Sequence, residues 1–440
     1  MSRINQKVAS VTTHEGAKAY HLTPEAELRR TVCACMLWEN TFYEDGKSIA
    51  DRIANNITKI SANKVSALAI EAREKFKLRH VPLLIAREMA RNHQRNYVSH
   101  TIERIIQRPD ELSEFLAIYW ADKKQPLSAQ VKKGLARAFN KFDAYQLAKY
   151  NRDGAIKLRD VLFLCHAKPE NDEQEKLWKQ LIDGTLPVPD TWEVSLSTGK
   201  DKKETWERLL KEKKLGGLAL LRNLRNMANV KVDEKLIESA LAEMRTDRIL
   251  PFRFFSAAKY APQWEAMIEP TMLRCAQGKS KLKGKTALVV DGSGSMFGAP
   301  ISAKSEIDRF EAAAALSVLA REMCERCSVT VFSYNGHTVP NRRGFALRDA
   351  MFKAAEHGGT NTQNGINKAA ESGYDRIIVF TDEQSHQSIS NPIKGSKGYV
   401  INVACYKNGI GYGPWTHIDG FSEATLDYIS EYETLSSSNG

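Results

Sequence analysis

Thr286–Ala287–Leu288–Val289–Val290–Asp291–Gly292–Ser293–Gly294–Ser295–Met296 joins an apolar run to a polar turn, and the rest of the sequence falls into place around it. An apolar run rich in β-branched residues ends in an acid and then in a Gly/Ser turn. The run predicts a buried parallel strand. The turn gathers oxygen donors. Asp291, Ser293 and Ser295 alternate, so side chains of one tight loop can face a single point. A hard divalent cation takes several oxygens in near-octahedral array, and one carboxylate with two hydroxyls supplies about half of them.

Two later segments complete the set. Gly358–Gly359–Thr360 offers a third hydroxyl on a flexible loop, and Arg376–Ile377–Ile378–Val379–Phe380–Thr381–Asp382 is a second apolar strand ending in an acid. Both strands deliver carboxylates at their C-terminal ends, where open parallel sheets bind ligands. The combination resembles the metal-ion-dependent adhesion site of von Willebrand factor A domains. That resemblance implies one divalent cation, Mg2+ by preference, held by Asp291, Ser293, Ser295, Thr360 and Asp382. Taken alone, the D-x-S-x-S element reads equally as a serine-rich turn with a helix-capping aspartate; the threonine loop and the second strand–Asp weigh against that.

At 440 residues the chain has room for two or three domains with real cores. The start, Met1–Ser2–Arg3–Ile4–Asn5–Gln6–Lys7, lacks the apolar core of a signal peptide, and no apolar run is long enough to span a bilayer. Seven scattered cysteines, with a lone C-x-x-C at Cys324 and Cys327, have no zinc-finger spacing. Reduced thiols in a cytoplasmic protein are the expectation.

The formal charge of +11 is unevenly spread. Residues 284–440 hold 14 Lys and Arg against 17 Asp and Glu, leaving 50 basic and 36 acidic residues in 1–283, a balance of +14 there. A polyanion is the natural partner of such a region, with a solvated basic surface as the bland alternative.

Read in order, residues 1–20 form an irregular polar arm. Thr23–Pro24–Glu25 then provides an N-cap, a first-turn proline and an early acid, which starts a helix. Helical periodicity continues to about residue 275. Val65, Leu68, Ala69, Ala72 and Phe76 make one apolar stripe, and Val81, Leu84, Ile85 and Met89 the next. Further helices are predicted over 111–120, 129–142, 158–165, 174–182, 203–211, 218–227, 234–244, 252–260 and 264–276. A long series of amphipathic helices with brief joints predicts stacked antiparallel pairs, an α-solenoid of HEAT-like repeats, across 21–277. Residues 278–285 read as a basic linker. A P-loop is excluded there, because five residues separate Gly278 from Gly284 and a strand follows where a phosphate-cradling helix is needed. Over 286–440, strands at 329–332, 376–382 and 399–405 alternate with helices at 310–326, 347–357, 365–372 and 424–432. That alternation predicts a doubly wound α/β sheet with its site at the strand ends.

Local segments point further. Leu218–Ala219–Leu220–Leu221–Arg222–Asn223–Leu224, Arg248–Ile249–Leu250–Pro251–Phe252, and Lys149–Tyr150–Asn151–Arg152 followed by Leu158–Arg159–Asp160–Val161–Leu162 and His166 resemble segments of the TROVE family, the Ro ribonucleoproteins. With the order of helical region and A domain, the resemblance covers nearly the whole chain. It implies a closed ring of helical repeats completed by the A domain. The hole would take single-stranded 3′ ends of misfolded noncoding RNA, and the basic outer surface a small Y-like RNA. The Y-RNA contacts fall on Lys149 and His166, with an arginine beside Arg152; an ungapped match places that arginine at Asp153, and Cys165 stands where the family has serine. The residues themselves agree: Lys149, Arg152, Lys157 and Arg159 cluster, with Tyr145 and Tyr150 nearby for stacking on unpaired bases.

The expected function is therefore a monomeric, non-catalytic RNA-binding protein of noncoding RNA quality control, tethering RNA to an exoribonuclease or another protein through the cation. A metal-dependent adhesion scaffold that binds no RNA is the alternative. A metal nuclease fits less well, because two carboxylates fall short of the acid cluster of a two-metal site.

Overall fold

Leu288, Val289 and Val290 have no exposed surface at all, and the reason is their place at the centre of a sheet. In this computed structural model, which describes residues 11–37, 41–92, 95–197, 201–298, 300–301 and 306–438, six strands are formed. They are β1 Leu282–Asp291, β2 Cys324–Phe332, β3 Gly336–Val339, β4 Arg376–Thr381, β5 Lys397–Asn402 and β6 Thr416–Asp419, in spatial order β3-β2-β1-β4-β5-β6. All neighbours are parallel except the β2–β3 pair. Val290 lies opposite Val331 on one side and Phe380 on the other. Side chains alternate along a strand. Ala287 and Val289 pack in one cluster with Ile366 and Ala369 of the helix Thr362–Ala370, so Leu288 and Val290 face the other way. The helix Arg309–Met323 also packs on β1 and buries almost its entire length. Each large apolar side chain so enclosed contributes about 1.5–3 kcal/mol. The expected α/β alternation is present; β3 and β6, four residues each, are strands that periodicity did not indicate.

The described residues divide into two compact units. One joins Met1–Ile49 to Met244–Gly440, and the other is Ala50–Glu243. This departs from the division at residues 277 and 286 read from sequence. The helix Pro24–Cys33, capped by Thr23 as expected through a bond from the Ala26 N–H, belongs to the sheet-bearing unit, as do the helices Phe252–Tyr260 and Glu265–Leu273. An amphipathic pattern states that a helix has a buried face, not which neighbour buries it. The arm is also more ordered than expected over its described part, residues 11–20, where Thr12 bridges antiparallel to Lys18. Residues 1–10 lie outside the described part.

The basic linker is corrected as well. Leu282 to Lys285 are the first residues of β1, with Leu282 opposite Cys324 and Lys285 opposite Arg326 across a bulge. Gly284 makes the bulge at φ +81°, and a Cβ there would lie 2.6 Å from an Asp375 carboxylate oxygen. Lysines at 281, 283 and 285 disguised an alternating strand end as a charge run.

The other unit is helical throughout its named elements. Helices pack on their immediate neighbour and on the next but one: Ala62–Glu74 touches His80–Arg91 and Arg95–Ile105, the latter touches Ala129–Phe139, and that in turn touches Leu158–Cys165. This is the contact pattern of stacked helix pairs. The helices Arg95–Ile105 and Ala144–Tyr150 were not among those predicted. Gly134 permits one close crossing, since a Cβ there would stand 2.8 Å from Ile102 Cβ. Ion pairs join successive layers: Arg73 to buried Glu111 at 2.6 Å, Arg79 to Asp110 at 2.6 Å, and Arg87 and Arg91 to Asp122 at 2.6 and 2.8 Å. Part of the positive charge counted in sequence is thus neutralised between helices.

Candidate cation site and nucleic-acid surface

Parallel pairing of β1 with β4 brings Asp291 and Asp382 to one end of the sheet. Both are fully buried, Ser293 is too, and Ser295 and Thr360 are nearly so. Asp291 Oδ1 accepts from the Ser293 N–H at 3.0 Å, its Oδ2 accepts from the Thr381 hydroxyl at 2.5 Å, and the Ser293 and Ser295 hydroxyls lie 3.3 Å apart. The threonine loop is stitched to the serine loop by Gly294 N–H to Gly358 carbonyl (2.9 Å) and His357 N–H to Gly292 carbonyl (3.2 Å). The Thr360 carbonyl accepts from the His386 N–H at 2.9 Å and from the Ser385 hydroxyl at 3.2 Å, which ties it to the loop after Asp382. All five residues expected around a cation are therefore gathered at one end of the sheet.

The electrostatics fit a cation. Burial pushes the Asp291 carboxyl up to about 7, and the neighbouring Asp382 charge adds to this. Asp382 is also raised, by burial above all. Its Oδ1 accepts from the Gln384 N–H at 3.0 Å, while its Oδ2 is buried without a hydrogen-bond partner among the described residues. A buried carboxylate oxygen without a donor is costly, and two carboxylates facing each other double the difficulty. A divalent ion among two carboxylates and three hydroxyls removes both problems and suits a hard cation.

Sequence reasoning missed what holds these ligands. Thr381 was read only as a strand residue, yet it clamps Asp291. Glu383 follows Asp382 in the left-handed region, φ +61°, which a non-glycine residue adopts only when its surroundings hold it there. They do. Arg30, itself without exposed surface, donates from Nη1 to Glu383 Oε1 at 2.8 Å and from Nε to the Tyr406 carbonyl at 2.6 Å; His417 Nε2 is 2.5 Å from Glu383 Oε1, and the Gly411 N–H donates to Oε2 at 2.7 Å. Burial alone would raise the Glu383 carboxyl, but Arg30 and His417 hold it well below the usual range. Arg30 is 353 residues from Glu383, and no local signal links them.

On the helical unit, the expected RNA-contact residues fall into two groups. Lys149 Nζ lies 5.7 Å from the Tyr145 ring centre and 5.6 Å from that of Tyr150, and Arg108 stacks on Tyr150 at 4.7 Å. Tyr145 is half exposed. Arg152, mostly exposed, is 3.7 Å from Glu193. His166 caps the helix Leu158–Cys165 in the left-handed region and lies 3.4 Å from Lys132 Nζ. Lys157 pairs with Asp153 at 2.7 Å and Arg159 weakly with Asp160 at 4.0 Å. The first group is a cation–aromatic platform with an exposed ring, a surface that suits phosphates and unpaired bases. Arg108 and Lys132 are members that no motif marked; only folding brings them to Tyr150 and His166.

A family model described as the TROVE domain matches residues 6–184 and 184–287. The chain belongs to the TROVE-domain family. Family membership makes it an RNA-binding protein of the Ro type. The TROVE chain is also similar in fold to the crystal structure of Deinococcus radiodurans RO (RSR) protein, with a TM-score of 0.59 and 17% identity, over 93% of this chain and 99% of that one. The likeness in fold therefore runs past residue 287 into the sheet. Cys165, Cys324 and Cys327 carry free thiols, and no helix among the described residues is long and apolar enough to cross a membrane.

Proposed function

We propose that this TROVE protein binds a small Y-like noncoding RNA on the basic surface around Lys149, Arg152 and His166. It takes single-stranded 3′ ends of misfolded RNA into a central cavity of its helical repeats, in noncoding RNA quality control. The protein acts in the cytoplasm as a monomer and performs no chemistry on the RNA. The observation that carries this reading is the family match over the helical residues, joined to the Lys149–Tyr145–Tyr150–Arg108 platform. Cations on phosphate supply sequence-independent affinity, and aromatic faces hold bases without reading them.

In this reading the sheet-bearing unit is a von Willebrand A domain. Asp291, Ser293, Ser295, Thr360 and Asp382 would hold one Mg2+, which when bound supplies an open position for a carboxylate of a protein partner such as an exoribonuclease. The partnerless Asp382 Oδ2 supports it.

Charge reversal at Lys149 and Arg152 together tests this surface. Small structured RNA should bind the K149E/R152E protein more weakly and with a shallower salt dependence. Unchanged affinity would remove this surface from the account. Sequencing the RNA that copurifies with the protein names the ligand.

A further inference from the structure

Glu15 lies close to the candidate cation site. It lies in the short hairpin in which Thr12 pairs with Lys18. Three bonds fasten that hairpin at the ligand end of the sheet: the Thr13 hydroxyl donates to the Ser385 carbonyl at 2.8 Å, the His14 N–H to the Gln384 side-chain oxygen at 3.0 Å, and Asn408 Nδ2 to the Thr12 carbonyl at 2.8 Å. Gln384 and Ser385 follow Asp382 within three residues. The hairpin is thus set on the same loop that carries a candidate ligand.

Both oxygens of the Glu15 carboxylate are held. The Tyr43 hydroxyl donates to Oε1 at 2.5 Å, and His386 Nε2 lies 2.9 Å from Oε2. Both neighbours are turned toward the cation site. The Tyr43 hydroxyl faces the Ser295 side chain, and His386 Nδ1 is 2.9 Å from the Thr360 carbonyl. The Tyr43 ring is fixed by stacking on His14, 4.5 Å between centres and 6° between planes. One intervening side chain, His386, therefore separates the Glu15 carboxylate from Thr360.

We propose that Glu15 is the resident carboxylate of this site. It adds its charge to the bound divalent ion and holds the side from which an external acidic group must approach. Asp291 and Asp382 already balance a divalent ion, so a third carboxylate leaves the loaded site net negative and unfavourable to another anion. A partner's acidic side chain must displace the turn of the hairpin to reach the ion. The inference rests on the cation reading of Asp291, Ser293, Ser295, Thr360 and Asp382.

The test is calorimetric titration of the full chain with Mn2+, with and without acetate as a free carboxylate. The Glu15 side chain is 29% exposed, so Glu15→Gln changes charge without changing packing, and a matching thermal melt checks this. Wild type should bind Mn2+ with an affinity that acetate leaves unchanged. E15Q should bind about tenfold more weakly, and acetate should restore most of the loss. If E15Q equals wild type, or if acetate tightens both alike, the ion never depended on Glu15 and the proposal is overturned. A loss that acetate does not repair overturns it too, and assigns Glu15 to fastening the hairpin. Asp382→Asn separates the underlying reading: if wild type binds no Mn2+, or D382N binds as well as wild type, the cation site itself is refuted.

Discussion

Arg30→Met should destabilise the sheet-bearing unit severely, and the structure sets the scale. Arg30 and Glu383 are an ion pair with no exposure on either side. Removing one partner of such a pair leaves a buried charge uncompensated, at a cost of about 3–5 kcal/mol. His417 remains beside Glu383, which moderates the loss, while the Tyr406 carbonyl loses its 2.6 Å donor, which adds to it. For a unit of this size the melting temperature should fall by about 10 °C. The double variant Arg30→Met with Glu383→Gln should recover much of this, because the glutamine oxygen still accepts from the Gly411 N–H without leaving a charge. The assay is urea unfolding with hydrogen exchange read at β1 and β4. Since Glu383 holds Asp382 in place, R30M should also weaken Mn2+ binding. A single variant that melts with wild type, or a double variant as unstable as the single, would refute the claim that this pair organises the ligand loop.

Other perturbations test separate parts. Metal-free protein should lose stability as pH rises. Asp291 is pushed up to about 7, so the folded state holds a proton that the unfolded chain has released from about pH 4 upward. The stability present below that range is lost as pH passes 7; saturating Mg2+ should remove the loss, and thermal melts across pH with EDTA or Mg2+ measure both. Asp382→Asn should raise the melting temperature of metal-free protein by relieving the facing carboxylates, while it abolishes Mn2+ binding; a lower melting temperature would contradict the repulsion inferred here. Tyr145→Ala should reduce affinity for single-stranded RNA by about 1–3 kcal/mol if one base stacks there, measured by fluorescence anisotropy at fixed salt.

The strands β1 and β4 and the acids at their ends were legible in sequence because that information is local. Eleven consecutive residues carry a buried run, an acid and a turn, and parallel pairing alone brings Asp291 to Asp382. Most helices of the other unit were legible for the same reason. What escaped is set by long-range contact. The helix Pro24–Cys33 looked like one more repeat until Arg30 found Glu383. The strand character of Leu282 and Lys285 was hidden by the lysines beside them. Glu15 is an ordinary residue of the polar arm, and Tyr43 carries no motif, until the hairpin folds onto the loop after Asp382. The charge count also overstated what RNA can use, because Arg73 and Arg79 are paired with acids of a neighbouring helix, and Arg87 and Arg91 with Asp122 just past its end.

The division of labour, with RNA on the helical unit and a cation on the sheet, is tested most directly by one titration. Affinity for a small structured RNA is measured from low to high salt, once in Mg2+ and once in EDTA. Log affinity should fall steeply and linearly with log salt, by about 0.7–0.9 per neutralised phosphate, with the two lines parallel once free Mg2+ is counted as a competing counterion. RNA affinity that disappears with EDTA at every salt concentration, or that barely responds to salt, would contradict it.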